Sequence, residues 1–373
     1  MALTRWKTIA DSLQADIENG TFKVGAPLPT EERLATQWGV SRMTAHRALQ
    51  ELQRAGIVAR RQGSGTVVTA HQAKVAGGVA LLFPNWLNLL EIELLRGISA
   101  ELGEGQQIFF CDTRGEPETE ARYLRRMRKQ AVGIICVPTC APENTPLLRA
   151  MVADSFPLVC VDRVPSEVNA DGVVTDNVGA SAEALRRLVA RGHQRITHFT
   201  HDLPQVSSVR DREVAFLEVA REVGQPDAAS AVYRYPRDVA SFEALVELVR
   251  ADLTALMASA EPPTLIFCVN DWLLPALLEA CFALDIRVLQ DLEILSFNDA
   301  PLLLPSLRQR LHLIAQQPHR IGQLAATQLV RRLQGDKSAS HIARVPAQIA
   351  LSSNPRAGSL RPPEPQKFNA SVK

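Results

Sequence analysis

The chain has 373 residues, of which 46% are hydrophobic and 22% are charged, as in an ordinary globular protein. A chain of this length predicts two or three folding units whose cores need neither disulfides nor a structural metal. No signal-peptide pattern opens the sequence, and no apolar run has the length of a membrane span. We therefore expect a cytoplasmic protein that does not contact the membrane.

The charge is unevenly distributed along the chain. Residues 1–71 contain nine Lys and Arg against six Asp and Glu, a net charge of +3. The remaining residues contain 32 Lys and Arg against 34 Asp and Glu, a net charge of −2. A small basic unit joined to a mildly acidic one favours a phosphate-bearing partner for the basic unit.

Residues 1–70 are predicted to form a small α/β unit. Apolar residues at helical spacing, with Thr30 and Ser41 as caps, predict helices at 4–19, 31–38 and 41–55. Two short strands follow, at 57–61 and 66–69, and the Gln-Gly-Ser-Gly turn between them predicts a hairpin. The order is that of a winged helix-turn-helix.

The start of the third predicted helix has the chemistry of a DNA-reading element. Arg42 can bind a guanine edge with two hydrogen bonds, while Ser41 and Thr44 can bind phosphate at the helix N-terminus. The basic, glycine-containing hairpin tip can approach the DNA backbone or minor groove closely. The alternative is a helix-turn-helix scaffold that is used for protein contacts.

These motifs resemble the GntR-family winged helix. Leu28-Pro29-Thr30-Glu31, Val40-Ser41-Arg42-Met43-Thr44 and Arg60-Arg61-Gln62-Gly63-Ser64-Gly65-Thr66 carry the resemblance over residues 4–69. The resemblance implies a homodimer on double-stranded operator DNA with an inverted repeat. His46 departs from the family pattern, in which many members have Arg. The candidate DNA-binding residues are Thr30, Ser41, Arg42, Met43, Thr44, His46, Arg47, Arg61, Gln62, Gly63, Ser64 and Gly65.

Residues 71–77 are small and polar and predict a linker, and apolar strands alternate with helices from Gly78 onward. Strands are predicted at 79–83, 107–111, 133–137, 158–162, 196–200, 231–235, 265–269 and 293–297. Helices are predicted at 89–103, 117–129, 146–153, 180–191, 210–223, 242–259 and 273–284. Two such runs predict two doubly wound parallel α/β lobes with a ligand cleft between them. The tail, 355–373, is predicted to be disordered.

Six short motifs in this larger part resemble the LacI/GalR repressor core. They are 157–163, 174–177, 190–196, 269–271, 295–299 and 344–346. The resemblance implies a periplasmic-binding-protein-like effector and dimerisation domain over 78–354, with crossovers near Asp176, Leu307 and residue 339. Lobe 1 would then comprise 78–175 and 308–338, and lobe 2 would comprise 176–307 and 339–354. A GntR-type head on a LacI-type body resembles arabinose-repressor-type regulators, which implies a sugar or sugar-derivative effector.

Polar residues near the predicted strand ends suit a polyol, whose hydroxyls need paired donors and acceptors. The candidate effector-binding residues are Asn88, Thr139, Asp162, Arg163, Arg210, Arg212, Asn270 and Asn298. By resemblance, Arg212 matches the family's effector-binding arginine, Asn270 matches a second contact, and Asn298 stands where the family often has Asp. Trp86 or Trp272 could stack on a sugar face. Alternatives are that Asp176 and Asp271 cap helices and that Arg210 is a surface charge.

We expect neither a metal nor a cofactor. His198 and His201 would face opposite sides of a strand, which argues against a metal site with His193. The six cysteines are scattered along the chain, and we interpret them as small buried hydrophobic residues. The alternative is a redox switch formed by Cys136 and Cys140. No catalytic motif is visible, so the sequence predicts an effector-controlled transcription regulator, a repressor, and no enzyme. The alternatives are a cytosolic sugar-binding or sugar-modifying protein.

Overall fold

The computed structural model describes residues 5–18, 21–22, 25–54, 57–61, 65–68, 77–84, 89–103, 105–225, 227–298 and 305–353. The chain divides into two compact units, of which the larger begins at Gly77. The rest of the predicted linker and the predicted tail lie outside the described residues. None of the helices in the described ranges is long and apolar enough to cross a membrane.

The smaller unit contains three helices and an antiparallel hairpin. They are α1 (Arg5–Glu18), α2 (Glu31–Trp38), α3 (Arg42–Arg54), β1 (Val58–Arg61) and β2 (Gly65–Val68). The predicted bounds of α2 are confirmed, because Thr30 accepts a hydrogen bond from the Arg33 N–H and Gly39 ends the helix with φ +60°. Ser41 Oγ accepts from the Thr44 N–H (3.2 Å), so α3 is capped as expected.

The larger unit begins with a run of alternating strands and helices. These are β3 (Val79–Phe83), α4 (Leu89–Leu102), β4 (Ile108–Asp112), α5 (Pro117–Gln130), β5 (Gly133–Cys136), α6 (Thr145–Ala153), β6 (Leu158–Val161) and β7 (Asp171–Thr175). The sequence analysis did not predict β7. Its residues are all buried, and it pairs in parallel with β6.

A second run follows and then returns to the first. The second run comprises α7 (Asn177–Val189), β8 (Ile196–His201), α8 (Ser207–Glu222), β9 (Val232–Tyr235), α9 (Phe242–Met257), β10 (Leu265–Cys268), α10 (Leu274–Ala283), β11 (Glu293–Phe297), α11 (Pro305–Arg308) and β12 (His312–Ala315). The last elements are α12 (Pro318–Leu333), β13 (Ile342–Val345) and β14 (Gln348–Ala350).

The described strands of this unit form two sheets, one in each lobe. The first has the order β13-β7-β6-β5-β3-β4 and is parallel throughout. The second has the order β14-β12-β11-β10-β8-β9, and only β14 runs antiparallel to its neighbour. The predicted doubly wound two-lobed architecture is confirmed.

Both faces of the second sheet are covered by helices. Along β10, Ile266 packs in one apolar cluster with residues of α9 and α10, whereas Phe267 packs in another with residues of α7 and α8. Successive strand residues point to opposite faces, so a strand buried on both sides reads as a continuous apolar run. This is why the central strands could be predicted from their sequence.

The crossovers between the lobes correct two of the predicted positions. The first, from Thr175 to Asn177, lies near Asp176 as predicted. The second follows β12, at residues 316–317, rather than lying near Leu307, because β12 pairs with β11 in the second sheet. The third follows β13, at residues 346–347, rather than residue 339, because β13 pairs with β7 in the first sheet. The outer domain bounds stay predictions.

Hydrogen bonds join the three crossovers to one another. The Asp176 N–H donates to the Val345 carbonyl (2.8 Å), which links the first crossover to the third. The Thr175 hydroxyl donates to Gln316 Oε1 (2.5 Å), and Gln317 Nε2 donates to the Pro346 carbonyl (2.7 Å). Any rotation of one lobe against the other must therefore bend all three segments together.

Two glycines set the position of α4 against α12. A methyl group at Gly97 would lie 2.0 Å from the His319 carbonyl oxygen, and one at Gly322 would lie 2.2 Å from the Leu94 carbonyl oxygen. Backbone cannot yield at such distances, so glycine is required at both positions for this close approach. The contact fixes α4 on its lobe and so positions the residues of its first turn.

A buried His–Glu–His cluster joins the start of β11 to the start of β12. Glu293 Oε2 accepts from His312 Nε2 (2.6 Å) and lies 3.1 Å from His193 Nε2. The Ser352 N–H donates to His312 Nδ1 (3.0 Å), so the His312 proton is on Nε2. Burial raises the pKa of Glu293, but the hydrogen bonds from the two histidines outweigh it and hold that pKa well below its usual range.

The substitution Glu293→Gln should destabilise the larger unit, because it keeps the side-chain size and removes the buried charge. We expect the free energy of unfolding to fall by about 3 kcal/mol near neutral pH. The lowered pKa stabilises the fold above the unfolded value of about 4.3 and loses that effect as pH falls, so the difference should shrink in acid. Urea unfolding measures the loss near neutral pH and its decrease in acid, and the exposed Glu261→Gln is the matched control. Equal losses in the two variants would contradict a stabilising buried charge at Glu293.

Candidate functional site

The first turn of α3 presents polar and basic side chains to solvent. Arg42 and Arg47 are exposed, and Met43 is 75% exposed although it is apolar. The opposite side of the helix is buried, with Ala45, Ala48 and Leu49 in the apolar cluster of the unit. Thr44 is half-buried, and its hydroxyl lies 2.9 Å from that of Ser41. This is the arrangement expected of a helix that enters the major groove.

A carboxylate at the start of α2 holds three of the basic groups. Glu31 Oε1 accepts from His46 Nδ1 (2.9 Å) and from Arg60 Nη2 (2.5 Å), and Glu31 Oε2 accepts from Arg42 Nε (3.4 Å). The His46 hydrogen bond is the largest cause of a lowered Glu31 pKa. Arg42 also bonds Glu32 (3.0 Å). The sequence analysis did not identify Glu31 as an organiser of these groups.

The remaining candidates of this unit are placed differently. Arg47 lies over the Trp6 ring of α1, 4.7 Å from its centroid. Thr30 caps α2, and Gly65 begins β2 with φ +72°. The backbone of Arg61 ends β1, while Gln62, Gly63 and Ser64 lie outside the described residues.

In the larger unit, Arg212 on α8 is 3% exposed and central to the candidate ligand site. Its Nε donates to Asn177 Oδ1 (3.0 Å), its Nη1 donates to the Val269 carbonyl (2.8 Å), and its guanidinium lies 3.6 Å from the Phe297 ring centroid. Burial lowers the pKa of Arg212 to about 10, so it remains a cation at neutral pH. Within the described ranges no carboxylate lies within salt-bridge distance of it, and three of its five N–H groups make no hydrogen bond.

Asp162 and Arg163 belong to the other lobe and immediately precede Val164. They follow β6, where Asp162 has φ +67° and accepts from Arg163 Nε (3.0 Å). The charges of Asp162 and Asp271 oppose the lowering of the Arg212 pKa that burial causes. The Val164 N–H donates to Ser207 Oγ (3.2 Å), so the lobes are in direct contact beside this pair.

The ends of β10 and β11 form a connected polar chain. Asn298, with φ +71°, donates from Nδ2 to Asp271 Oδ1 (2.7 Å) and accepts at Oδ1 from Gln316 Nε2 (2.6 Å). Gln316 in turn accepts from Thr175 (2.5 Å), so the chain runs from the candidate site to two crossovers. The reason for an amide at 298 is local: an aspartate there would set two carboxylates against each other.

Asn270 rather than Asp271 accepts hydrogen bonds from the backbone of the turn that precedes α10. Asn270 Oδ1 accepts from the Trp272 and Leu273 N–H groups (3.2 and 3.1 Å). It also lies 3.2 Å from His201 Nε2, whose ring contacts Trp272 edge-on. The predicted cap Asp176 is confirmed, because its side chain accepts from the Gly179 N–H at the start of α7 (3.1 Å).

Three other candidate effector residues are not brought to Arg212 by any described contact. The Thr139 hydroxyl donates to the buried Glu120 (2.5 Å), which also accepts from Asn144. Arg210 is exposed and pairs with its neighbour Asp211 (3.3 Å). Asn88 lies outside the described residues, as does Trp86.

Glu91, in the first turn of α4, is a buried ionisable residue that was not predicted from the sequence. It is 5% exposed, and its Oε2 has no hydrogen-bond partner in the described structure. Burial raises its pKa to about 7, and the charges of Asp162, Arg163 and Asp271 act on it. No motif marks a lone glutamate in an apolar helix, so only the fold reveals its position.

The histidines and cysteines do not assemble a reactive centre in the described residues. His198 stacks on Phe216 and Phe267, whereas His201 contacts Trp272, and no cluster able to hold a metal is found there. The Cys136 thiol lies 3.9 Å from Cys160 rather than beside Cys140, and its pKa is raised, first by the hydrogen bond to Cys160. Burial raises the pKa of Cys140 to about 12. These thiols stay protonated, which opposes a Cys136/Cys140 switch.

The substitution Asn298→Asp tests the polar chain. Two carboxylates within 3 Å cannot both ionise without a large penalty, so we expect a lower melting temperature at about pH 8 than at about pH 5, where the pair binds a proton. The Asn298→Ala control loses the hydrogen bonds without adding a charge and should show the same loss at both pH values. A pH-independent loss in Asn298→Asp would contradict the observed Asp271 contact.

Two sequence profiles match the chain, one in each unit. The profile of bacterial regulatory proteins of the gntR family matches residues 6–68. The profile of the periplasmic binding protein-like domain matches residues 185–351. The chain thus carries a GntR-type helix-turn-helix and a periplasmic-binding-protein-like domain, as the sequence predicted.

The curated relatives are named transcription regulators. The regulator KdgR of Bacillus subtilis is 25% identical over 270 residues, which cover 71% of this chain and 76% of the relative. The arabinose metabolism transcriptional repressor of Geobacillus stearothermophilus is 26% identical over 307 residues, which cover 80% of this chain and 82% of the relative. A LacI family regulator of Enterococcus faecium with bound ribose shares the fold, with a TM-score of 0.58 and 22% identity over 74% of this chain and 99% of its own.

Proposed function

Because the chain joins a GntR-type helix-turn-helix to a LacI-like effector domain, we propose that it is a transcription repressor controlled by a sugar or sugar derivative. The effector binds between the two lobes of the larger unit and changes the affinity of the smaller unit for its operator. The observation that carries the proposal is the buried Arg212, whose guanidinium is charged and has unused N–H donors at the strand ends of the second lobe.

The DNA-binding part of the proposal rests on the first turn of α3. Arg42 reads a guanine in the major groove, and Ser41, Thr44 and the helix N-terminus bind phosphate. Exposed groups flank this turn on the helix and in the hairpin. The remaining contacts are proposed for Thr30, Met43, His46, Arg47, Arg61, Gln62, Gly63, Ser64 and Gly65.

In the cleft, the effector's hydroxyls pair with polar groups at the strand ends. Arg212 is the central donor, Asp162 and Arg163 act from the first lobe, and Asn270 and Asn298 act from the second. Asn88, Thr139 and Arg210 complete the proposed set at its margins. The Trp272 ring is half-buried beside Asn270 and offers an apolar face to a sugar ring.

Coupling to DNA follows from the arrangement of the crossovers. A ligand that contacts both lobes favours one angle between them, and the chain of hydrogen bonds through Asn298 and Gln316 transmits that preference to Thr175. Differential binding of this kind is typically worth about 1–3 kcal/mol. In a homodimer, a changed angle between the lobes would change the spacing of the two helix-turn-helix units on an inverted repeat. Helix α4 would contribute to the dimer interface.

The variant Arg212→Ala should lose the response to effector while retaining operator binding. Fluorescence anisotropy with a labelled operator, with and without the effector found by thermal-shift screening of sugars, measures both properties. Arg221→Ala, an exposed arginine in the last turn of the same helix, is the control and should respond normally. A folded Arg212→Ala protein that fails to bind operator would count against the assignment.

The variant Arg42→Ala should show the reverse behaviour. Loss of one bidentate guanine contact should weaken operator binding roughly 10- to 100-fold, while the effector still raises the melting temperature. Arg5→Ala, an exposed arginine at the start of α1, serves as the control in the same unit. Turnover of a bound sugar by the wild-type protein would instead favour a sugar-modifying protein.

A further inference from the structure

Eight ionisable side chains from both lobes act on one another's charge around the candidate site. Five are acidic and three are basic. They are Glu91, Asp162, Asp211, Asp238, Asp271, Arg163, Arg212 and Arg237. A neutral polyol needs hydroxyl partners but gives no reason for so many charges.

The three arginines differ in how far they are neutralised. Arg163 is paired with Asp162 at 3.0 Å. Neither Arg212 nor Arg237 has a carboxylate within 4 Å in the part of the chain that the structure describes. Arg237, in the loop after β9, is exposed, and its guanidinium lies over the Trp272 ring, 5.1 Å from the centroid. It is therefore a positioned cation whose N–H groups are available to a ligand.

Glu91 adds a pH-dependent charge to the cleft. Its side chain is buried, its Oε2 has no hydrogen-bond partner in the described structure, and its pKa is raised to about 7. Asp211 and Asp238 act on Arg212 and Arg237 without pairing with them, so these two guanidinium groups keep N–H donors that an anion can bind. A ligand with a negative charge pairs with such a group, whereas a neutral ligand does not.

We propose, on the basis of the function above, that the effector is an acidic sugar derivative whose anionic group is bound by Arg237. The acidic group is a carboxylate or a phosphate, since a guanidinium binds either through two parallel hydrogen bonds. Trp272 packs against the carbon skeleton beside that group, and Arg212 reaches the polar groups at the other end. Arg237 thus selects acidic sugars from neutral ones, a role that neither family match assigns.

Protonation of Glu91 links the affinity to pH. The negative charges of Asp162 and Asp271 favour the protonated form of Glu91, and the positive charges of Arg163 and Arg237 oppose it. A bound anion adds a further negative charge and therefore favours the protonated form of Glu91 still more. Affinity for the acidic ligand should therefore fall as pH rises through about 7. Glu91→Gln, which resembles the protonated form, should remove this dependence.

The test uses the full chain and four matched probes: D-gluconate, D-glucuronate, D-glucose 6-phosphate and D-glucose. Isothermal titration at about pH 6 and about pH 8 should show roughly tenfold tighter binding of an acidic probe than of D-glucose, the worth of one charged hydrogen bond. The two carboxylates and the phosphate distinguish the two possible acidic groups. Arg237→Gln should abolish the preference and leave the melting temperature of the free protein unchanged, because Arg237 is exposed.

Two outcomes would overturn the proposal and are distinguishable from each other. If only D-glucose or other neutral sugars bind and release the operator, or if Arg237→Gln keeps the preference, the acidic ligand is wrong while the sugar-responsive repressor stands. If no sugar of either kind binds or releases the operator, the proposed function fails as well. The proposal is supported if Arg237→Gln abolishes the preference for acidic probes and Arg234→Gln leaves it intact. Arg234 is a matched control because it is paired with Glu213.

Discussion

The burial of one guanidinium group organises the second lobe and its connection to the first. A charged arginine that is 3% exposed would cost several kcal/mol if its surroundings were apolar. The compensating groups come from three separate places: Asn177 after the first crossover, the Val269 carbonyl after β10, and the Phe297 ring at the end of β11. Arg212 therefore holds the start of α7 against the strand ends, at the centre of the candidate ligand site.

The same strand ends explain how a change in the cleft can reach the crossovers without a long mechanical path. Asn298 contacts Asp271 on one side and Gln316 on the other, and Gln316 lies in the second crossover and contacts Thr175 beside the first. The third crossover is joined to the other two by backbone carbonyls that accept from Asp176 and Gln317. Few hydrogen bonds thus separate the ligand site from the segments that must bend, which favours a two-state rotation over local adjustment.

The sequence predicted what depends on local pattern. Apolar runs placed the central strands, and the caps Thr30, Ser41 and Asp176 placed the starts of their helices. It missed β7, which begins with Asp-Gly, and the short strands after residue 311, so two crossovers were placed about eight residues too early. Glu91 and Glu31 were missed for another reason: each acquires its role from residues far away in the chain. Glu31 meets Arg60 only after the hairpin folds back, and the Glu91 pKa is affected by the charge of Asp271 only when both lobes are present.

Both candidate sites contain an arginine that is paired with a carboxylate, yet burial gives the two pairs opposite consequences. In the smaller unit, Arg42 is 66% exposed and Glu32 75% exposed, so water and salt screen their attraction and a DNA phosphate or base can replace the carboxylate at little cost. In the cleft, Asp162 and Arg163 are 13% and 22% exposed, so separating this pair would leave two poorly solvated charges. Operator affinity should consequently depend strongly on ionic strength, whereas effector selection depends on the charge of the ligand itself. In the smaller unit, the ion pairs hold the DNA-facing side chains in place until DNA binds. In the cleft, Arg237 has no paired carboxylate in the described residues, and the acidic group of the proposed ligand supplies an anionic partner.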